Sequence, residues 1–340
     1  MEKALKLREL WSYQLPLAPA LTLKNGRLSQ REGLLLNLVD QQGQSHFTEI
    51  APLPGWSRET LTDCLDWIFN HRHHLSAKQA ASLPSVSWGL YQAQAPPDQN
   101  ERKTLRLNAL LTAAEPKHLK QEVANLSSQG YDVFKLKVGR FDLHQERERI
   151  AAVVSGLSSR GQKGRLRLDA NRSWHLSQAL ALVESCRDLA LASCLEYIEE
   201  PLQNSAELPH FCRASQWPVA LDESLCDTAI SPAIWQTCSA LVLKPMLLGA
   251  EATLHWLKQA QLSGKTITTS SLFESPWGLA KLAYWAAQVD PNQVAGLDTW
   301  RAFAPQQDLP VWEIQQGRLI LKPKMLDKPP VNAVYLNKII

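Results

Sequence analysis

The feature of this sequence that most restricts its fold is a regular alternation of short apolar segments with longer amphipathic segments, beginning at residue 104. The short segments have the length of β-strands, and the longer ones have the spacing of helices with one apolar face. The predicted strands are 104–110, 132–138, 165–169, 195–199, 218–222, 240–244, 266–270 and 294–297. The predicted helices lie near 116–129, 142–159, 175–190, 205–216, 228–238, 249–263 and 276–289. Eight strands joined by seven helices through right-handed crossovers predict an α/β fold, a closed (β/α)7β TIM-like barrel.

An open, doubly wound sheet is the alternative arrangement of the same elements. Such a sheet carries a glycine-rich phosphate loop after its first strand. The segment Asn108–Thr112 follows the first predicted strand and contains no glycine. The sequence therefore favours the barrel.

Residues 1–100 have a mixed pattern that predicts a separate α+β capping domain. Extended segments and helices are expected at Leu5–Leu15, Gly33–Val39, Ser45–Ile50, 57–71 and Pro84–Ala95. Ser57 is the expected N-cap of the first helix. Pro96–Asn100 is the expected linker to a catalytic barrel at 104–304. Residues 305–340 leave the alternating pattern, and we expect this tail to pack against the capping domain.

Composition and charge exclude several classes of protein. Hydrophobic residues make up 45% of the chain and charged residues 20%, as in ordinary globular proteins. A net charge of +3 without a Lys/Arg block argues against nucleic-acid binding. The segment Met1–Glu9 interleaves charges and so is no signal peptide, and the apolar runs are too short to span a bilayer. We expect a soluble protein with neither nucleic acid nor membrane as a partner.

The six cysteines show no CxxC spacing, which is typical of reduced thiols. The expected location is therefore the cytoplasm. The sequence leaves open whether the chain is a monomer or a homo-oligomer.

The segment Phe134–Gly139 places two lysines on one face of a predicted strand. Because side chains alternate between the faces of a strand, Lys135 and Lys137 point one way and the intervening apolar residues the other. Alone, this pattern is typical of a solvent-exposed edge. Several later predicted strands repeat the design with a charge near the carboxyl end, and this repetition indicates a common site.

Three carboxylates end consecutive predicted strands on the inward-facing parity, namely Asp169, Glu199 and Asp222. Active sites of such barrels lie at the carboxyl ends of the strands, where charges are costly unless they are paired or bound to metal. Because neighbouring strands lie about 4.8 Å apart, the three carboxylates are expected to surround one point. Hard oxygen ligands of this kind suit Mg²⁺ or Mn²⁺.

Lys137 and Lys244 are expected on opposite sides of this site, since they end the second and sixth strands. A lysine becomes a usable base when its pKa falls from about 10.4 towards 7–8. Lys135 and a divalent cation would both lower the pKa of Lys137. The arrangement indicates abstraction of a proton next to a carboxylate, with the metal stabilising the resulting enediolate.

Each motif alone has a simpler explanation. Glu199-Glu200-Pro201 could be a strand end stopped by proline, and Asp222-Glu223-Ser224 a helix-capping turn. Asp169-Ala170-Asn171 could be a turn, and Lys244-Pro245 an ordinary strand exit. Their order, at successive strand ends and on one face, argues against these separate explanations.

Together, the motifs resemble those of the enolase superfamily, in its muconate-lactonizing subgroup. The matching motifs are Lys135-x-Lys137, Asp169-Ala170-Asn171, Glu199-Glu200-Pro201, Asp222-Glu223-Ser224 and Lys244-Pro245. The resemblance implies a (β/α)7β barrel with an N-terminal capping domain that the C-terminal tail completes. It also implies that the three carboxylates bind Mg²⁺ and that Lys137 and Lys244 form the acid/base pair.

Further segments are similar to the o-succinylbenzoate synthase family of menaquinone biosynthesis. They are Ala51–Thr60, Pro84–Val86, Leu166–Arg172, Ser270–Ser275 and Gly296–Thr299. The sequence departs from that pattern at Trp56, where phenylalanine is expected, and at Leu272, where serine is common. The resemblance implies a lyase that dehydrates a small-molecule carboxylate to o-succinylbenzoate. The expected substrate contacts are Lys135, Arg167, Asn171, Ser270, Ser271, Gly296, Leu53 and Trp56, with Ser270, Ser271 and Gly296 near the succinyl arm and the 51–57 loop capping the site.

Two other functions fit parts of the pattern. Some relatives use the same five residues to racemise N-succinylamino acids or to epimerise dipeptides, and both lysines then exchange protons. The chain could also be a barrel kept only as a binding module. Such modules usually lose a ligand or a base, whereas all five residues are present here.

Overall fold

The computed structural model of the protein describes residues 4–23, 26–96, 102–158, 164–227, 230–303, 313–322, 326 and 335–340. The elements within these ranges are numbered in chain order below. Most of the predicted linker, 97–100, lies outside the described residues. No described helix combines the length and the apolar character needed to cross a membrane.

The N-terminal region is an antiparallel sheet covered by helices. Its elements are β1 (Lys6–Leu23), β2 (Gly26–Val39), β3 (Ser45–Ile50), α1 (Leu61–His71) and α2 (Pro84–Gln94). Helix α2 packs directly on β3. The Thr48 hydroxyl on β3 donates a 2.6 Å hydrogen bond to the Gly89 carbonyl on α2. A Cβ at Gly89 would lie 2.8 Å from the Glu49 carbonyl oxygen, so this close approach requires glycine.

Helix α1 begins three residues later than predicted, with Thr60 rather than Ser57 as its N-cap. Thr60 and Asp63 form a reciprocal capping box, in which each side chain accepts a hydrogen bond from the other residue's backbone N–H. The Ser57 hydroxyl instead accepts a 2.9 Å hydrogen bond from the Leu53 amide and closes the turn before the helix. The 51–57 loop is therefore a compact turn.

The barrel follows the predicted alternation of strands and helices. Its strands are β4 (Lys103–Leu107), β5 (Ala109–Leu111), β6 (Val133–Lys137), β7 (Arg165–Asp169), β8 (Leu195–Glu199), β9 (Val219–Leu221), β10 (Cys238–Leu243), β11 (Thr266–Thr269) and β12 (Val294–Ala295). Its helices are α3 (Pro116–Ser128), α4 (Leu143–Ser158), α5 (Leu176–Ser185), α6 (Leu208–Ser215), α7 (Pro232–Thr237), α8 (Pro245–Ser263) and α9 (Pro276–Val289). Strands β5 to β11 form one parallel sheet in sequential order.

Closure of the barrel depends on the last strand. Strand β12 pairs in parallel with β4, and a parallel bridge joins Ser270 after β11 to Gly296 after β12. The Asn108 amide donates a 3.0 Å hydrogen bond to the Ala295 carbonyl, at the interruption between β4 and β5. The predicted first strand is thus two short strands, and the predicted (β/α)7β barrel is confirmed.

Two helices differ from their predicted bounds for identifiable reasons. The predicted helix at 205–216 is a short 3-10 turn followed by α6. Helix α8 begins at Pro245, directly after Lys244, and contains Gly249 with a positive φ of 78°. A Cβ at Gly249 would lie 3.1 Å from the Pro84 Cα, because α2 packs against this kink. The kink therefore fits the barrel to the N-terminal helices.

The C-terminal tail divides between the two parts of the molecule. Strands β13 (Glu313–Gln315) and β14 (Arg318–Leu321) form a hairpin, and β14 pairs antiparallel with β4 of the barrel. Strand β15 (Leu336–Lys338) pairs antiparallel with β1. The tail was expected to pack against the N-terminal domain. Strand β15 pairs with that domain, whereas the hairpin forms its backbone hydrogen bonds with the outer side of β4 in the barrel.

Candidate active site

A cavity of about 340 Å³ opens at the carboxyl ends of the barrel strands. Side chains from strand ends on opposite sides of the barrel line it, among them Lys137 and Lys244. Leu53 and Trp56 of the 51–57 loop line the same cavity from the N-terminal domain. Below it, Tyr197, Ala220, Ala240 and Val242 pack together inside the barrel. The charged residues therefore sit on top of an apolar layer.

Lys135 lies between two of the predicted metal ligands. Its Nζ atom is 2.7 Å from Glu199 Oε2 and 2.9 Å from Asp169 Oδ2. Strands β6, β7 and β8 are adjacent, and Asp169 lies directly opposite Glu199 in their register. Burial lowers the pKa of Lys135, but the two carboxylates outweigh burial and hold that pKa well above its usual value. Lys135 is therefore a fixed positive charge.

Lys137 has a different electrostatic environment, although it lies only two residues away. Its Nζ atom is 3.7 Å from Asp169 Oδ2 and donates a 3.1 Å hydrogen bond to Asn171 Oδ1. Burial, together with the positive charges of Lys135 and Lys244, lowers the pKa of Lys137 below its usual value. Of the two lysines on β6, Lys137 is thus the one suited to losing and regaining a proton.

Lys244 faces the cavity from the opposite side and is paired with Asp222. Its Nζ atom also lies 5.3 Å from the centre of the Trp56 ring, within range of a cation–π contact. Burial lowers the pKa of Lys244, but the Asp222 carboxylate outweighs that effect and raises it. Lys244 therefore remains cationic at neutral pH.

A second layer of polar residues holds these strand ends in place. The Glu200 carboxylate accepts hydrogen bonds of 2.9 Å and 2.8 Å from the amides of Asp222 and Ser224. Arg172 donates to Glu200 at 3.1 Å and to Ser224 at 2.7 Å. Glu200, Asn171 and Arg172 all have positive φ, a backbone conformation that non-glycine residues rarely adopt. These contacts stabilise the conformation that brings the carboxylates together.

The donor set suits a hard divalent cation. Asp169, Glu199 and Asp222 are each at most 2% exposed and offer only oxygen atoms. Burial raises the pKa of Asp222 well above its usual value, and the carboxylates of Glu223 and Glu199 add to that rise, whereas the Lys244 ammonium opposes it. Among the described residues, no three acidic, histidine or cysteine side chains already form a metal cluster. Lysine ammonium groups contact the three carboxylates instead. An added cation would have to displace some of these contacts.

The structure brings most of the predicted substrate contacts to the cavity. Those that line it are Lys135, Asn171, Ser270, Ser271, Gly296, Leu53 and Trp56. The Ser271 hydroxyl lies 2.6 Å from that of Thr299, and Ser270 Oγ lies 3.3 Å from the Gly296 carbonyl oxygen. These residues form the wall between the last two barrel strands. Their roles in binding substrate remain predictions.

Arg167 is the exception among the predicted contacts, because it does not line this cavity. Its guanidinium donates to both Glu196 carboxylate oxygens, at 3.1 Å and 3.2 Å, and to the Asn108 side chain at 3.1 Å. It lines a separate cavity that also includes Arg165, at the start of the same strand. The structure therefore places Arg167 deeper in the barrel, in contact with Glu196 and Asn108 rather than at the candidate site.

Several cavity residues were not predicted from the sequence. Arg140 and Thr112 line the cavity, and so does Asp298, whose carboxylate accepts a 3.1 Å hydrogen bond from the Leu110 amide. Burial raises the pKa of Asp298 to about 6. Asp298 belongs to the Gly296–Thr299 segment, which is similar to the o-succinylbenzoate synthase family, so the sequence resemblance could have indicated this residue. Thr112 and Arg140 follow barrel strands in loops, where strand parity gives no guidance.

Two family models match the chain. The model described as MenC, N-terminal domain, matches residues 5–96, and the model described as Enolase C-terminal domain-like matches residues 118–265. Solved structures agree on the fold. A member of the enolase superfamily from Roseovarius nubinhibens, complexed with magnesium, has a TM-score of 0.79 at 17% identity and covers 99% of each chain. An N-succinyl Arg/Lys racemase from Bacillus cereus has a TM-score of 0.77 at 16% identity and covers 100% of each chain.

Closer relatives identify the family. An o-succinylbenzoate synthase of Vibrio cholerae serotype O1 (strain M66-2) is 31% identical over 336 residues, which is 92% of this chain and 96% of the relative. An o-succinylbenzoate synthase of Yersinia pseudotuberculosis serotype O:3 (strain YPIII) is 35% identical over 305 residues, which is 85% of this chain and 89% of the relative. The predicted family is confirmed. The chain belongs to the o-succinylbenzoate synthase family of the enolase superfamily.

Proposed function

We propose that this chain catalyses the syn dehydration of 2-succinyl-6-hydroxy-2,4-cyclohexadiene-1-carboxylate to o-succinylbenzoate, as a lyase of menaquinone biosynthesis. The proposal rests on one observation about this site. Lys137, with a lowered pKa, and Lys244, paired with Asp222, line one cavity from opposite sides. Asp169 lines the same cavity, and the buried Glu199 carboxylate contacts Lys135 beside it. A ring held between the two lysines would present its acidic C–H to one of them.

We assign Asp169, Glu199 and Asp222 as the ligands of a Mg²⁺ ion, which Mn²⁺ could replace. When bound, the cation supplies positive charge that stabilises the negative charge developing on the substrate carboxylate. The all-oxygen donor set and the burial of all three carboxylates support this assignment. Lys135 supplies a further positive charge near Asp169 and Glu199.

Lys137 acts first as the base and then as the acid. Its neutral amine removes the proton on the ring carbon that bears the carboxylate, and the electron pair of that C–H bond moves toward the carboxylate. The electron pair then forms the new ring double bond as the hydroxyl group leaves the neighbouring carbon. The Lys137 ammonium donates the same proton to this hydroxyl, so water departs and Lys137 is again neutral. Aromatisation of the ring favours the product.

Lys244 binds the other face of the ring and does not transfer a proton. Its ion pair with Asp222 keeps it cationic, and that charge stabilises the electron-rich ring between proton removal and loss of the hydroxyl. The Trp56 ring lies 5.3 Å from Lys244 Nζ, and closure of the 51–57 loop would limit the access of water to this lysine.

The test is a spectroscopic assay with the purified chain. Addition of the proposed substrate with Mg²⁺ should remove the diene absorbance, and the product should be o-succinylbenzoate by mass. An N-succinylamino acid racemase would instead exchange the substrate α-proton with solvent deuterium from both faces. Full racemase activity without diene consumption would contradict the proposal.

A further inference from the structure

Arg31 of strand β2 is fully buried, although no acidic side chain forms an ion pair with it among the described residues. A guanidinium has five N–H donors in a rigid plane. Here its nitrogens donate to five backbone carbonyls. The acceptors are the carbonyls of Glu32, Ala51, Pro52, Leu272 and Phe273. The hydrogen-bonding capacity of the group is thus used entirely by main chain.

Four of these carbonyls belong to two segments that line the candidate active site from different parts of the molecule. Ala51 and Pro52 begin the 51–57 loop, which carries Leu53 and Trp56. The other two carbonyls belong to the 270–275 segment after β11, which includes Ser270 and Ser271. Arg31 itself does not line the cavity. It therefore connects the loop above the site to one wall of the site without reaching the substrate.

The 270–275 segment needs such support, because its conformation is costly. Phe273 has a φ of 57°, and a bulky residue in this left-handed region is a clear outlier. Arg31 Nε donates a 3.0 Å hydrogen bond to the carbonyl of this residue. The Glu274 carboxylate accepts a 2.7 Å hydrogen bond from the Leu272 amide and holds the same turn from the other side.

A buried carboxylate of the N-terminal sheet holds the end of the segment. Glu49 Oε1 accepts hydrogen bonds of 2.7 Å from the Tyr13 hydroxyl and 2.8 Å from the Ser275 amide. Its second oxygen accepts from the Ser275 hydroxyl. Burial raises the pKa of both Glu49 and Glu274, and the positive charge of Arg31 opposes only part of that rise. The segment is thus anchored to the N-terminal sheet at its middle, through Arg31, and at its C-terminal end, through Glu49.

We propose that Arg31 is a positioning residue for substrate binding, which fixes the separation between the 51–57 loop and the 270–275 segment. Its effect on the reaction is indirect, since it hydrogen-bonds neither Lys137 at the end of β6 nor Lys244 directly after β10. Substrate affinity should therefore depend on Arg31 much more than the chemical step does. The kinetic part of this inference rests on the proposed function, whereas the structural part does not.

The test compares Arg31→Lys and Arg31→Met with Arg27→Lys and Arg27→Met, since Arg27 is an exposed arginine on the same strand. Loss of several hydrogen bonds worth about 1 kcal/mol each should raise KM at least about fivefold in Arg31→Lys. The kcat of this variant should stay within about twofold of wild type. Arg31→Met should show the larger KM if it folds. Both Arg27 variants should match the wild type.

Hydrogen–deuterium exchange without substrate provides a second readout, independent of the reaction. In Arg31→Lys, peptides covering 51–57 and 270–275 should exchange faster, while peptides from α3 and α4 should not change. If the chain proves not to dehydrate the proposed substrate, this measurement still decides the structural inference. Unchanged KM and unchanged exchange in both segments would overturn the proposal, even if the variant were less stable.

Discussion

The Nζ atom of Lys137 donates a 3.1 Å hydrogen bond to Oδ1 of Asn171. The Asn171 side chain can make this contact because its backbone adopts a φ of 44°, with its amide 3.2 Å from Asp169 Oδ1. The Asn171 Nδ2 group also donates a 3.2 Å hydrogen bond to Glu223. The amine of the proposed base therefore has a defined direction rather than the freedom of an exposed lysine.

Replacing the two lysines should separate their roles. Lys137→Ala should abolish dehydration with substrate binding largely retained, because it removes the only proposed proton carrier. Lys244→Arg keeps a positive charge but changes the shape of the head group, so turnover should fall without disappearing. In deuterated buffer, Lys244→Arg should still exchange the α-proton of a bound substrate analogue, as followed by NMR. Exchange that persists in Lys137→Ala and vanishes in Lys244→Arg would show that the roles are reversed.

Removal of divalent metal should abolish turnover. Treatment with EDTA should leave the protein folded by circular dichroism, since lysines already compensate part of the carboxylate charge. Addition of Mg²⁺ should restore the rate of diene consumption. Asp222→Asn should weaken Mg²⁺ binding, measured by calorimetry, because an amide is a poorer ligand than a carboxylate. Full activity of the metal-free protein would contradict the ligand assignment.

Trp56 should contribute to substrate binding through closure of the 51–57 loop and through its contact with Lys244. A cation–π contact of this kind is worth about 1 kcal/mol, so Trp56→Ala should raise KM about fivefold or more. Trp56→Phe retains an aromatic face and serves as the matched control, with a smaller increase. Glycines throughout Leu53–Trp56 should also lower kcat through loss of closure. Unchanged kinetics in the glycine variant would indicate that the loop has only a structural role.

Arg167→Met should affect stability rather than substrate binding. Removal of Arg167 leaves the Glu196 carboxylate without its bidentate partner inside the barrel, which costs about 3–5 kcal/mol of unfolding free energy. Urea denaturation should show this loss, while KM of the folded variant stays near the wild-type value. Arg165→Met is the control, since Arg165 is more exposed and lies 3.4 Å from the same carboxylate. A large rise in KM in Arg167→Met without loss of stability would restore its predicted role in substrate contact.

Lys281 should make the stability of the protein rise with pH above neutrality. Burial lowers the pKa of Lys281 to about 7, whereas the unfolded chain keeps the ordinary value of 10.5. Between these values the unfolded state binds more protons, so the free energy of unfolding increases with pH and stops increasing near 10.5. Below pH 7 the amine is protonated in both states, so the full free-energy cost of burying its charge lowers the stability. In Lys281→Met this part of the pH dependence should disappear.

Chemical denaturation at pH 7, 8 and 9 measures the effect. The difference in unfolding free energy between wild type and Lys281→Met should change steadily across this range. Lys258→Met, at an exposed position on α8, is the control and should show no such change. An identical pH slope in wild type and Lys281→Met would show that the buried amine keeps an ordinary pKa in the folded protein. In that case the 2.5 Å hydrogen bond from Lys281 Nζ to the Phe47 carbonyl would offset the cost of burying the charged amine.

The sequence by itself determined the barrel and the family. Strand alternation is a local property with a period of two residues, so charged residues on one parity could be assigned to a common face before any contact was known. This reasoning put Lys137, Asp169 and Glu199 on one face, and the structure brings them together, since Asp169 lies opposite both of the others on adjacent parallel strands. The helix bounds of α9 follow equally from local signals, a proline at its start and a Ser275 cap.

Depth along a strand and contacts between distant segments were decided only by the tertiary structure. Parity places Arg167 on the same face as Asp169, but a rise of about 3.3 Å per residue puts it roughly 7 Å deeper in the barrel. There it meets Glu196 instead of the cavity. The contact of Arg31 with Phe273 joins residues 242 positions apart, and no local pattern encodes such a pair. It exists because the barrel closes and brings the loop after β11 against the N-terminal sheet.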